Sequence, residues 1–367
     1  MKLGINPGTK PGVLVVSHGS READWVRLVD DAVSACADLM GSEVPVVSAF
    51  LELVEGRLIQ DGVHVLEAEG VTDLYVLPLF VSSGSTHVDD IAQAFGMEPV
   101  SAARVGELER FVVQRGVRVR FGVPIDDDGD IAELLLRNIA GLSGGRDGTL
   151  SAGAERALAA ECELKEEVGA REERPLAKAK NEPSEGTEQL SAMAKHETLA
   201  GESGEPSESA GALAELTAAE RESELNALAV GEPSDGARAE QLPAARRRER
   251  LLLVAHGSRE AVFHGRWRDG MAALAERVRE LGGFAGAHSA MLLPNQAACK
   301  LGALQRRYPD DTFIVVPLFL SEGYFTRTVI PTRLAGLNYR YNGRALLPSP
   351  QIARWMERQI RKWLSTM

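Results

Sequence analysis

Cysteine is scarce in this sequence. The 367 residues contain three cysteines, Cys36, Cys162 and Cys299, which lie far apart and form no C-x-x-C pair. This spacing argues against a disulfide framework, a zinc knuckle or an iron–sulfur cluster bound within the chain. Buried or inert thiols are the expectation that remains.

Long hydrophobic runs are also missing. No apolar run reaches the roughly 18 to 20 residues of a membrane-spanning helix, and Met1–Gly4 does not begin a signal peptide. Basic residues do not form a stripe with interleaved aromatics, which is the usual footprint of a nucleic-acid surface. We therefore expect a cytoplasmic protein that binds neither membranes nor nucleic acid.

Aromatic residues are absent from one long segment. Between Leu150 and Ala245 there is no Phe, Trp or Tyr, and residues 151–245 include 21 acidic and 9 basic side chains. Since the other residues balance at 32 acidic and 32 basic, this segment carries the whole net charge of −12. Without aromatics it cannot bury enough apolar surface to offset chain entropy. We expect a largely disordered acidic linker at 150–247 between two domains, 1–149 and 248–367.

The sequence does contain an internal repeat. The motif HGSREA occurs at 18–23 and again at 256–261, each time after a short apolar run, 13–16 and 251–255. A continuous run of β-formers that ends at a glycine and enters a helical pattern is typical of a buried parallel strand and its crossover helix. The chain is therefore predicted to contain two related halves, each with a histidine at the carboxyl end of its first strand.

Strand patterns and helix patterns alternate in both halves. In the first half we predict strands at 13–17, 44–51, 74–81 and 117–121, and helices at 22–40, 57–69, 88–95 and 131–139. In the second half we predict strands at 251–255, 288–293 and 312–320, and helices at 271–281 and 352–364. This order indicates an α/β fold with two tandem, doubly wound, mostly parallel sheets.

Three titratable side chains follow successive strands of the first half. His18 follows the first strand, Glu52 the second and His87 the third. Ligands of open parallel sheets bind beyond the carboxyl ends of the strands, so we expect the three to lie together. Two imidazoles and a carboxylate suit an iron, cobalt or nickel ion and also accept protons near neutral pH. Four other histidines lack this placement and are predicted to be ordinary surface or structural residues: His64, His196, His264 and His288.

The order of these motifs resembles that of the sirohydrochlorin chelatases of the CbiX/SirB type, the class II chelatase family. The resemblance rests on HGSR at 18–21, FLE at 50–52, and PLF at 78–80 with Gly84 leading to His87. It covers roughly 13–140 and 250–364. It implies a long form with two fused chelatase-like lobes facing across a cleft. The implied activity is insertion of Co2+ or Fe2+ into sirohydrochlorin, in cobalamin or siroheme biosynthesis, with no cofactor beyond the substrate metal ion.

The resemblance also implies roles for individual residues. His18 and His87 bind the metal and accept protons, and Glu52 assists them. Sirohydrochlorin is rimmed by carboxylates, so polar and cationic side chains near the cleft are expected to bind it. The candidates for substrate binding are Ser20, Arg21, Ser82, Ser83, Gly84, Arg259 and Arg327.

The second copy departs from this pattern. Phe325 stands where the family has histidine, and Leu293 aligns with Glu52, whereas His256 is retained. We therefore predict one active site, in the first half, with the second half as its opposing wall. In the first half Asp90 comes three residues after His87 where the family has an aspartate after four, so no role is transferred to Asp90.

Two other functions use the same residues. A non-catalytic carrier of metal or tetrapyrrole would need the same histidines and stays open as an alternative. A histidine phosphatase is disfavoured because Ser17, rather than an arginine, precedes His18. The sequence leaves open Co2+, Fe2+ or Ni2+ as the metal, and it is compatible with a monomer of two fused lobes or a loose homodimer.

Overall fold

The computed structural model describes residues 8–102, 104–143, 246 and 248–367. The first half contains β1 (Pro11–Ser17), α1 (Ala23–Met40), β2 (Val46–Phe50), α2 (Ile59–Ala68), β3 (Asp73–Pro78), α3 (Thr86–Ala94), β4 (Arg118–Phe121) and α4 (Gly129–Ile139). The second half contains β5 (Glu249–Gly257), α5 (Ala261–Gly282), β6 (Gly286–Leu293), α6 (Ala297–Arg307), β7 (Thr312–Pro317), a π-helical turn (Phe325–Val329), α7 (Ile330–Arg333) and α8 (Pro350–Leu364). Nearly all of the predicted linker, 150–247, lies outside the described residues.

Each half is built on a parallel sheet. The strand order is β2-β1-β3-β4 in the first half and β6-β5-β7 in the second. All the strand pairs are parallel, and an isolated parallel bridge between Ile314 and Arg340 occupies the place that β4 has in the first half. The predicted α/β class with two parallel sheets is therefore confirmed.

The central strand β1 is buried on both faces. Val13 and Val15 belong to one hydrophobic cluster, and Leu14 and Val16 belong to a second cluster on the opposite face. Because helices cover both faces of the sheet, successive side chains along β1 are all apolar rather than alternating with polar ones. This burial explains the continuous run that leads to His18.

The two halves share one hydrophobic core. A single cluster contains Val13 and Val15 of β1, Leu251 and Leu253 of β5, and Trp355 of α8. Helix α1 packs on α8, and α4 packs on both α5 and α8. The halves are therefore in direct contact through these helices.

Aromatic and charged side chains add to this contact. The Trp363 ring of α8 stacks on the Tyr75 ring of β3, with centroids 4.9 Å apart and planes 9° apart. Arg358 of α8 donates to Asp128, the N-cap residue of α4, at 2.6 Å, and is also paired with Asp130. The last helix of the second half therefore covers part of the first half's sheet.

Two expectations from composition can be compared with the structure. Cys36 is buried, and burial raises the pKa of its thiol to about 12, so the thiol stays protonated and unreactive at neutral pH. Cys299 is exposed, so the expectation of a buried or inert thiol stays a prediction for this residue, and Cys162 lies outside the described residues. Within the described ranges, no helix combines the length and the apolar character that crossing a bilayer requires.

His288 on β6 gives an expected pH dependence of stability. Burial, together with the nearby charges of Arg250, Lys300 and Arg307, lowers the pKa of its imidazole to about 4 from 6.5. The native state therefore keeps His288 neutral while the unfolded chain takes up a proton below pH 6.5. The free energy of unfolding should fall as the pH drops from about 6.5 to about 4, by up to roughly 3 kcal/mol.

The substitution His288→Gln should remove this part of the acid sensitivity, because glutamine does not titrate. Urea unfolding of both proteins at about pH 7 and about pH 4.5 measures the difference. Equal loss of stability in the two proteins over that interval would contradict the assignment to His288.

Candidate active site

The ends of β1 and β2 place His18 beside Glu52. Leu51 N–H donates to Ser17 O at 2.8 Å and Glu52 N–H donates to His18 O at 3.1 Å, so the parallel ladder continues beyond both strands. Gly19 has a φ of +102°, and a Cβ at this position would overlap the Glu52 carbonyl oxygen. Glycine is therefore required after His18 both for its backbone conformation and for the close approach of the two loops.

The three predicted side chains come together at this edge of the sheet. His18 Nδ1 lies 3.6 Å from Glu52 Oε1, and the rings of His18 and His87 are edge to face with centroids 4.9 Å apart and planes 75° apart. The side chains of His18 and Glu52 are 39% and 36% exposed, and His87 is partly buried. A metal ion or a small part of a larger ligand can therefore reach the imidazoles from solvent.

The surroundings of His18 favour one tautomer. Its Nδ1 faces both Glu52 Oε1 and the Gly19 carbonyl oxygen, which is 3.3 Å away. Two oxygen acceptors at this nitrogen favour a proton on Nδ1, and the lone pair is then on Nε2. This arrangement is typical of a metal-binding histidine that is oriented by a carboxylate.

The site is not a closed metal cage. Across the residues that the structure describes, no group of three or more His, Cys, Asp or Glu side chains has the arrangement of a ready-made metal site. The His18–His87 pair with Glu52 is an open set of donors that leaves further coordination positions to water or to a second ligand.

The loop before His87 is held by a residue that the sequence did not reveal. Ser83 N–H donates to Asp126 Oδ1 at 2.8 Å, and the Gly84 amide donates to Ser82 Oγ at 3.0 Å. Asp126 has a φ of +46°, and burial raises the pKa of its carboxyl group although hydrogen bonds from Ser83 and Ser82 oppose the rise. It follows β4, where the sequence pattern gave no signal of a functional residue.

Gly84 packs against the second half. A Cβ at Gly84 would lie 2.5 Å from Trp267 Cδ1 and 2.7 Å from the Phe263 carbonyl oxygen, both on α5. Glycine is therefore required where this loop meets α5. In the structure, Ser82, Ser83 and Gly84 make contacts that support the loop leading to His87. Their predicted roles in substrate binding stay predictions.

Asp90 on α3 takes part in a buried ion network. Arg104, whose side chain is 14% exposed, lies 2.8 Å from Asp90, 3.5 Å from Asp89 and 3.0 Å from Glu260. Burial raises the pKa of Asp90, and the Arg104 charge opposes the rise. The network joins α3 of the first half to the N-cap residue of α5 in the second half.

The second copy keeps the geometry of the site but only one of its three donor side chains, His256. The rings of His256 and Phe325 are edge to face with centroids 5.1 Å apart and planes 85° apart, which is close to the His18–His87 pair. Gly257 has a φ of +83°, and a Cβ there would overlap the Leu293 carbonyl oxygen, as at Gly19 and Glu52. Phe325 and Leu293 are therefore the structural counterparts of His87 and Glu52.

A groove in the first half is lined by residues that follow His18 and Glu52 in the sequence, but not by His18 or Glu52 themselves. It has a volume of about 390 Å3 and runs between the loop after β1 and the loop after β2, with Ser20, Arg21, Leu53 and Glu55 in its wall. Arg21 is exposed. All of the residues that line the groove belong to the first half.

The other two candidate cations lie in the second half. Arg259 is exposed, and Arg327 is 71% exposed and lies 3.5 Å from Glu322. Their role in substrate binding stays a prediction.

A model of the CbiX family matches residues 12–142 and 250–362. The chain belongs to the CbiX family. The first matched range contains the three site residues of the first half, and the second contains His256 and Phe325. The repeat seen in the sequence is therefore a duplication of the CbiX unit.

A curated relative matches part of this CbiX protein. The sirohydrochlorin cobaltochelatase of Methanopyrus kandleri is 32% identical over 87 residues, which are 24% of this chain and 59% of the relative. The chain thus spans about three fifths of the length of that curated relative.

Two solved structures share the fold of this CbiX protein. SirB of Bacillus subtilis subspecies spizizenii in complex with cobalt aligns with a TM-score of 0.52 at 14% identity, over 97% of this chain and 96% of that one. SirB of Bacillus subtilis with Fe3+ aligns with a TM-score of 0.55 at 15% identity, over 96% and 95%. At this level of identity the match establishes the arrangement of two α/β halves.

Proposed function

We propose that this CbiX protein is a sirohydrochlorin chelatase that inserts Co2+ or Fe2+ into sirohydrochlorin, in cobalamin or siroheme biosynthesis. The observation that carries the proposal is the His18–His87 pair, with ring centroids 4.9 Å apart and Glu52 3.6 Å from the first imidazole. The names of a relative, a sirohydrochlorin cobaltochelatase, and of two SirB structures, one in complex with cobalt and one with Fe3+, support the choice of substrate.

The reaction exchanges protons for a metal ion. Two pyrrole N–H protons leave the macrocycle for each divalent ion that enters, so the site must hold the ion and accept protons. In the proposed mechanism Nε2 of His18 and an imidazole nitrogen of His87 bind the ion at the open edge of the sheet. Glu52 holds the His18 tautomer through Nδ1, and as the metal is released to the macrocycle Glu52 and the vacated His87 imidazole accept the two pyrrole protons.

The openness of the site favours transfer over storage. A substrate ion has to leave its protein ligands, and two imidazoles leave coordination positions for water or the incoming pyrrole nitrogens. Imidazole nitrogen suits iron and cobalt equally well, so the site chemistry fits either ion. No cofactor beyond the substrate metal ion is included in the proposal, and the partners are sirohydrochlorin and a divalent metal ion.

Anaerobic mixing of the full-length protein with Co2+ or Fe2+ and sirohydrochlorin tests the proposal. The absorbance of the macrocycle reports insertion, and the wild-type protein should raise the rate above that of the spontaneous reaction. A protein that binds the metal or the macrocycle without raising the rate would be a carrier, and the chelatase proposal would be wrong.

Arg21 is proposed to bind a carboxylate at the edge of the macrocycle. It lies in the wall of the groove, three residues after His18 in the sequence. Arg21→Gln should raise KM for sirohydrochlorin about fivefold, because one exposed ion pair contributes about 1 kcal/mol. The value of kcat should change little. Steady-state kinetics at varied sirohydrochlorin concentration measure the effect.

Arg115 provides the control for this prediction. It is exposed and precedes β4, at the opposite edge of the sheet from the His18–His87 pair. Arg115→Gln removes the same charge and should leave KM unchanged. Equal KM values in both variants and the wild type would show that Arg21 does not contribute to substrate binding.

A further inference from the structure

The segment that carries His87 is held by the second half at two points. Gly84, three residues before His87, packs against Phe263 and Trp267 of α5. Asp90, three residues after His87, is paired with Arg104, and Arg104 is paired with Glu260 at the start of α5. The two contacts lie on either side of His87 in the sequence.

Arg104 is the central residue of the second contact. It comes from the loop between α3 and β4, and its guanidinium lies over the Phe263 ring, 5.2 Å from the centroid. One Nη donates to Asp90 at 2.8 Å and the other donates to Glu260 at 3.0 Å and 3.2 Å. Because the guanidinium is planar and its donors are fixed relative to one another, it sets the spacing between α3 and the start of α5.

The position of Asp90 transmits this spacing to His87. Residues three apart on a helix lie on the same face, one turn from each other. Asp90 is 3% exposed and His87 lies in the first turn of α3. A shift of Asp90 away from Arg104 would therefore move the first turn of α3 and with it the His87 ring.

The internal repeat provides a contrast. Glu22 is the counterpart of Glu260, since the two histidine motifs are 238 residues apart. Glu22 is exposed, and its carboxylate makes no ion pair with any other part of the chain that the structure describes. The glutamate of the motif therefore contributes to the contact between the halves in the second copy, as Glu260, and not in the first copy, as Glu22.

We infer that the Arg104–Glu260 pair positions His87, so that the second half sets the separation of the two imidazoles in the first half. The inference rests on the proposed function of the His18–His87 pair as metal ligands. It assigns the duplicated half a role although that half has lost two of the three donor side chains. Arg104 and Glu260 are positioning residues, since neither touches the ion.

Glu260→Gln in the full-length protein tests the inference. Glu260 is 45% exposed, so the variant should fold, whereas removal of Arg104 would leave Asp89 and Asp90 buried without a counter-charge. Co2+ alone is the probe, followed by calorimetry and by its visible absorption spectrum. We expect a five- to tenfold weaker Kd and an altered spectrum, with kcat lowered and KM for sirohydrochlorin unchanged.

Glu22→Gln is the matched control, and Glu260→Asp is the rescue variant. Glu22→Gln should bind Co2+ as the wild type does, and Glu260→Asp should recover part of the affinity. Equal Co2+ affinity and spectra in Glu260→Gln and the wild type would overturn the positioning role alone. A wild type that binds Co2+ but does not insert it would overturn the proposed function and leave the positioning comparison intact.

Discussion

His87→Ala should reduce the rate of metal insertion by at least about 100-fold, which is the loss expected when a proton acceptor and metal ligand is removed. The His87 ring lies 4.9 Å from the His18 ring, so its loss leaves the ion with one imidazole. His18→Ala should have a similar effect. The anaerobic absorbance assay with Co2+ measures both variants.

The repeat supplies matched controls for these two substitutions. Phe325→Ala and His256→Ala change the corresponding residues of the second half, which lie in the same edge-to-face arrangement. Both should retain most of the activity, because the second copy lacks the donor set. Circular dichroism should show that all four variants are folded, since none of these four side chains is fully buried. Full activity of His87→Ala would contradict the assignment of His87 to the active site.

Phe325→His combined with Leu293→Glu should create a second metal site. The backbone of the second copy already has the required geometry: His256 and Phe325 rings are 5.1 Å apart, and the Leu293 carbonyl meets Gly257 as the Glu52 carbonyl meets Gly19. Only the imidazole at position 325 and the carboxylate at position 293 are missing. Co2+ titration by calorimetry should give two ions per chain in the double variant and one in the wild type.

The rebuilt site can be separated from the original one. Adding His87→Ala to the double variant should return the stoichiometry to one, with the remaining ion bound in the second half. Phe325 stacks on Phe319 with centroids 5.6 Å apart, so the substitution should also cost about 1 kcal/mol of stability. If the double variant still binds one ion per chain, the identities of these two side chains alone do not explain why the second copy binds no metal.

Local patterns in the sequence were sufficient to predict the strands and the meeting of His18, Glu52 and His87 at one edge of the sheet. The run before His18 is apolar because β1 is buried on both faces, and histidine and glutamate at successive strand ends meet because parallel strands end at one edge. Helix α6 was not predicted, although Ala297, Leu301 and Leu304 have helical spacing and are buried.

The contacts between the halves could not be predicted in this way. Arg104 and Glu260 are 156 residues apart, and neither position has a local pattern that indicates an ion pair. Asp126 follows a short, half-exposed strand and contacts Ser83 across the loop. Such long-range polar contacts depend on how the elements pack, and periodicity carries no information about them.

Cobalt-soaked crystals, with the metal located by its anomalous scattering, test the central claim most directly. One cobalt ion per chain, within coordination distance of both the His18 and the His87 imidazoles and close to Glu52, is the predicted result. Cobalt bound at other residues, or bound to only one of these two imidazoles, would contradict it.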